Sequence, residues 1–132
     1  MIRGKVTPDC EAVVQLVVRG PAGRSRLIDA ILDTGFNGYL TLPASLISDL
    51  TLPYHSPTIG MLADGTRVIL SKYQASVLWG AREQDVIVLE ADGGPLVGMA
   101  MLRGQRVALD VVPDGPVPIE PLPGSDQTNV NR

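Results

Sequence analysis

Residues 11–19 constrain the fold more than any other stretch. The even positions Ala12, Val14, Leu16 and Val18 are all apolar, while the odd ones include Glu11, Gln15 and Arg19. A period of two with β-branched side chains means a strand with one face on a core. Gly20-Pro21-Ala22-Gly23 is a turn signal, so 25–32 is expected to return as the second arm of a hairpin. That arm is apolar on both faces, Leu27 and Ile31 against Ile28, Ala30 and Leu32, and its second half is expected to be covered on both sides. The 14 glycines and 11 prolines among 132 residues suit short strands joined by turns and argue against a helical bundle.

Further elements follow from the same pattern. Residues 2–6 suggest a short edge strand and 39–42 another strand. Residues 43–50 form the best helix candidate, with Pro43 in the first turn and Leu46, Ile47 and Leu50 at helical spacing. Residues 58–70 suggest a hairpin about Ala63-Asp64-Gly65, because Asp-Gly between apolar arms is a strong hairpin signal. The second arm is expected to run on to Trp79, and after a turn at 80–82 another strand is expected over 83–90. After the loop 91–95 come a short apolar strand, Leu96-Val97-Gly98, and one or two helical turns at 99–102. A strand is expected over 106–112 with Val107, Leu109 and Val111 on one face, and a terminal edge strand over 117–122. The expected organisation is one folded domain over 1–122 and a polar, disordered tail over 123–132.

Charge and composition narrow the function. The formal net charge is −3 and no basic cluster stands out, so nucleic-acid binding is poorly supported. The lone cysteine, Cys10, has no internal disulfide partner, and with one histidine, His55, no Cys- or His-rich metal site is possible. The longest nearly apolar stretch, 12–18, falls far short of the roughly 20 residues of a membrane helix. Met1-Ile2-Arg3-Gly4-Lys5 lacks the apolar run of a signal peptide. The expectation is a cytoplasmic protein with no membrane or nucleic-acid partner and no metal or organic cofactor.

The chemistry concentrates at Ala30-Ile31-Leu32-Asp33-Thr34-Gly35. A carboxylate ends an apolar strand beside a hydroxyl and a glycine. Burial raises a carboxyl pKa and hydrogen bonds to the charged form lower it, so such a site holds an acid in a defined geometry. The glycine lets the backbone turn and bring its N–H to the carboxylate. The plain alternative is an Asx-type turn in which Asp33 caps its own backbone. No phosphate loop is present, since Gly93-Gly94-Pro95 lacks the lysine and the spacing.

With its context, the stretch resembles the retropepsin-like aspartic proteases, in particular their small bacterial members. Residues 31–38 (Ile-Leu-Asp-Thr-Gly-Phe-Asn-Gly) look like the catalytic motif, and Tyr39-Leu40-Thr41-Leu42-Pro43 like the strand behind it. The hairpin 61–68 looks like the flap. Leu96-Val97-Gly98-Met99 looks like the element that crosses behind the catalytic loop. The resemblance spans roughly residues 11–119. It departs at Met99-Ala100, where viral members usually place Arg or Lys and then Asp, and the flap hairpin lacks the tyrosine of the two-lobed pepsins.

The resemblance implies an all-β, closed, barrel-like retropepsin fold with one or two short helices, and an endopeptidase acting on a peptide or protein substrate. Asp33 would be catalytic, with Thr34 and Gly35 completing the active-site loop. Met61, Leu62, Ala63, Asp64 and Gly65 would form the substrate-binding flap. The reaction needs two carboxylates and the sequence carries one Asp-Thr-Gly, so Asp33 would be supplied twice across the axis of a homodimer. The second reading is a catalytically silent dimerisation or peptide-binding domain of the same fold, and the third a small β-barrel unrelated to proteases. Other residues have plainer roles: His55 as a surface loop residue, Cys10 as a free thiol, Asp64 in a turn, Asp110 pointing outward and Trp79 in packing.

Overall fold

The computed structural model describes residues 1–124. Ten strands and two short helices follow in order: β1 (Ile2–Val6), β2 (Ala12–Arg19), β3 (Ser25–Leu32), β4 (Leu40–Leu42), α1 (Ala44–Asp49), β5 (Tyr54–Met61), β6 (Arg67–Trp79), β7 (Arg82–Glu90), β8 (Leu96–Val97), α2 (Met99–Leu102), β9 (Gln105–Val107) and β10 (Pro116–Pro121). The all-β expectation with short helices is met. The expected disordered tail lies, from residue 125 on, outside the described residues. Among the described residues, no helix is long and apolar enough to cross a membrane.

The β2–β3 hairpin is the scaffold, paired antiparallel from Val13↔Ile31 to Arg19↔Ser25. This register sets Val14 opposite Ala30 and Leu16 opposite Ile28, and all four are buried, while Gln15 and Arg19 face water. Leu27, near the turn end of the hairpin, is 59% exposed, whereas Ile31 and Leu32 are half-buried. The sheet runs β5-β6-β7-β4-β8-β3-β2-β1-β10-β9, and a further pairing of β6 with β2 closes a ring through β3, β8, β4 and β7. Leu40, Leu42, Val77, Trp79, Val86, Val88 and Val97, all on strands of the ring, belong to the buried core. α1 contributes Ile47, with Leu50 and Leu52 just beyond it, to the same core.

Four expectations about strands need correction. β1 is not an edge strand, because it pairs with both β2 and β10. The strand expected over 117–122 is present as β10 but lies between β1 and β9, so it is not an edge either. The strand expected over 106–112 stops at Val107, and Leu109 and Val111 are exposed. The prolines of β10 explain this third difference. The Ala108 N–H donates to the Pro118 carbonyl and the Asp110 N–H to the Pro116 carbonyl, both at 3.2 Å. Neither proline has an N–H to return, so the ladder is one-sided and decays into the turn around Val112. The hairpin expected from residue 58 begins earlier, at Tyr54, so His55 belongs to a strand rather than a loop.

Candidate active-site loop

The loop carrying Asp33 is built by strand order. β8 is inserted between β3 and β4, parallel to the first (Ile31↔Leu96, Leu32↔Val97) and antiparallel to the second (Leu40↔Val97, Thr41↔Leu96). The chain leaving β3 therefore arches past the end of β8 to reach β4. The Asp33 N–H continues the ladder by donating to the Val97 carbonyl at 2.9 Å. Asp33 is half-buried, while Thr34 and Gly35 are exposed.

The turn closes on its own carboxylate. The Gly35 N–H donates to Asp33 Oδ1 at 2.9 Å, and the Phe36 N–H donates to the Asp33 carbonyl at 3.1 Å. A Cβ at position 35 would stand 3.2 Å from that same Oδ1, so glycine lets the backbone and the carboxylate approach without crowding. The second carboxylate oxygen has no hydrogen bond from a described residue. The arrangement is a half-buried carboxylate with one oxygen anchored by a backbone N–H.

The far side of the loop is clamped by the segment after β8. The Gly98 N–H donates to the Tyr39 carbonyl (3.0 Å), the Met99 N–H to the Phe36 carbonyl (2.8 Å) and the Ala100 N–H to the Gly38 carbonyl (3.1 Å). A Cβ at Gly98 would collide with the Gly38 carbonyl oxygen, and one at Gly38 would stand 2.6 Å from Phe36 Cζ. The Phe36 ring is thus seated against two glycines. Thr41, the buried polar residue of the core, accepts a hydrogen bond from the Leu96 N–H at 2.9 Å and ties β4 to β8. Gly38, Gly98, Phe36 and Thr41 all lie within the motifs quoted above, but supporting roles for Phe36 and Thr41 were not expected from sequence. A threonine between two core leucines was the available signal.

Met61, Leu62, Ala63, Asp64 and Gly65 stand at the tip of the β5–β6 hairpin, and all five are exposed. The Leu62 N–H donates to the Thr66 carbonyl (2.8 Å), and Gly65 takes a φ of 88° to complete the turn. Asp64 acts as a turn residue: the Thr66 N–H donates to its Oδ1 at 2.8 Å, and hydrogen bonding from Thr66 holds its carboxyl below the usual range. Asp33, Thr34 and Gly35 are brought together in one turn. Among the described residues, no hydrogen bond joins that turn to the hairpin tip.

The remaining candidates are accounted for locally. Trp79 is buried and its indole N–H donates to Gln105 Oε1 at 3.1 Å. Cys10 is exposed in the turn between β1 and β2. His55 is exposed, with Nδ1 2.8 Å from Ser56 Oγ. Among the described residues, no group of three His, Cys, Asp or Glu is placed to hold a metal ion. No family model matches the chain, and no curated protein matches it.

Proposed function

We propose that this protein is an aspartic endopeptidase of the retropepsin type, active as a homodimer in which each subunit supplies one Asp33. The observation that carries the reading is the half-buried Asp33 at the end of a core strand, its Oδ1 anchored by the Gly35 N–H at 2.9 Å. Two such carboxylates facing across an axis would share one proton, because like charges in contact resist joint ionisation. The ionised member would take a proton from the attacking water while the protonated member polarises the scissile carbonyl. The exposed Thr34 would reach across the axis to its counterpart. The β5–β6 hairpin would close over an extended peptide, excluding water and pairing with the peptide backbone as a neighbouring strand does.

The test is Asp33→Asn, which keeps side-chain size but removes the base. The variant is expected to fold, to remain at least as dimeric as the wild type and to lose peptide hydrolysis by roughly a hundred- to ten-thousandfold. A transition-state mimic with a central hydroxyl is expected to inhibit the wild type. Equal cleavage by both proteins would show that Asp33 is not catalytic. If neither cleaves any member of a broad peptide library between acidic and neutral pH, the reading becomes that of a silent dimerisation or peptide-binding domain.

A further inference from the structure

A cavity of about 460 Å3 opens where the end of β2 meets the outer face of the β6–β7 pair, and Asp33 and the hairpin tip are not among its lining residues. Its size lies within the range of roughly 300–1,000 Å3 typical of small-ligand sites. Pro21, Tyr39, Pro53 and Ile87 give it apolar walls, and Arg19, Ser76 and Asp85 give it polar groups. Ser76 and Asp85 are cross-strand partners, so both side chains rise from the same face of the sheet.

The charges are unequally satisfied. Arg19 Nη1 lies 3.3 Å from Glu83 Oε1, and the Ser76 hydroxyl donates to Glu83 Oε2 at 2.7 Å. Glu83 therefore neutralises Arg19 and engages Ser76 as well. Asp85 makes no hydrogen bond or ion pair with any described side chain. What remains is one exposed negative charge in a cavity whose lining residues include a tyrosine.

We infer that this cavity binds an organic cation carried on an apolar body, with the ammonium or guanidinium group at Asp85 and the body against Tyr39, Pro21 and Ile87. A carboxylate supplies the ionic partner, and an aromatic face adds a cation–π contribution. The same chemistry is offered by a free aralkylamine and by a lysine or arginine side chain of a peptide. The site is independent of Asp33 and of the proposed hydrolysis.

The test is a titration of the full chain followed by backbone amide shifts. One arm uses phenethylamine and its neutral analogue phenethyl alcohol. The other uses a short capped peptide with one internal arginine and the same peptide with citrulline. The cationic members are expected to shift the amides of Tyr39, Ser76 and Ile87 and to bind at least about fivefold more tightly than their neutral counterparts. Asp85→Asn is expected to abolish that preference, while Asp9→Asn, in the turn between β1 and β2, leaves it unchanged. Binding by phenethylamine alone identifies a small-amine site, and binding by the arginine peptide identifies a site for a basic side chain. Equal binding of charged and neutral probes, or a preference that survives Asp85→Asn, overturns the inference.

Discussion

A methyl group at residue 98 would stand 2.5 Å from Phe36 Cδ2 and 2.7 Å from the Phe36 carbonyl oxygen, besides striking the Gly38 carbonyl. Two of those three atoms are backbone, and the ring is already seated against Gly38, so none gives way cheaply. Gly98→Ala is therefore expected to destabilise the fold by about 3 kcal/mol through overpacking, read as a lowered denaturant midpoint at constant slope. Gly94→Ala meets no atom within 4 Å and is expected to stay within about 0.5 kcal/mol of the wild type. Equal midpoints for the two variants would show that the loop yields to the added carbon. Asp64 offers a second test at this scale. Thr66 hydrogen bonds favour its charged form, so the folded pKa lies below the unfolded one. The turn's stabilisation is then fully present above the unfolded carboxyl pKa and is lost as pH falls through the lowered folded value. The Thr66 amide proton shift should titrate with a midpoint below that of aspartate in an unstructured peptide. A midpoint at or above the peptide value would refute the proposed turn bond.

The β5–β6 hairpin is the element whose stability is expected to differ most from its surroundings. Ile59 and Ile69 are directly opposed yet 66% and 79% exposed, so the outer half of the hairpin has little buried apolar area to resist opening. By contrast, the Ile31 N–H donates to the Pro95 carbonyl inside the β3–β8 pair at 3.0 Å. Amide exchange at residues 63–66 is expected to be much faster than at Ile31, and equal protection would remove the case for a moving flap. The β2–β3 hairpin, the tip of the β5–β6 hairpin and the Asp33 turn were legible in the sequence because their signals are local: alternation over 12–18, Asp-Gly between apolar arms, and a contiguous Asp33-Thr34-Gly35. The misread elements depend on partners distant in sequence. The prolines at 116 and 118 are plain to see, but their effect on 108–112 follows only once β10 is known to lie between β1 and β9. Likewise, β1 reads as an edge until residues more than a hundred positions away pair with it. The seating of Phe36 against Gly38 and Gly98 joins residues sixty positions apart and left no local trace.

At the scale of the whole molecule, the proposed chemistry demands a second copy. The chain carries one Asp-Thr-Gly, its carboxylate is anchored through one oxygen only, and Thr34 projects from the same exposed turn without a partner among the described residues. α2 begins beside that turn, and its first residue, Met99, is 47% exposed although its N–H is bonded to the Phe36 carbonyl. A two-fold axis near Asp33 would cover Thr34 and Met99 together and set the two carboxylates against each other. Such an interface carries a built-in cost, because the paired carboxylates repel whenever both are ionised. Sedimentation equilibrium is therefore expected to show a dimer that weakens as pH rises from acidic to neutral. Asp33→Asn, which removes both charges and leaves the contact surface in place, is expected to make the dimer tighter at neutral pH and to flatten its pH dependence. The same substitution at Asp92, on the loop before β8, should change neither. A wild-type protein that is monomeric at high micromolar concentration while still cleaving peptides would rule out a shared site, and a dimer equally stable with Asp or Asn at position 33 across that pH range would place the axis away from the Asp33 turn.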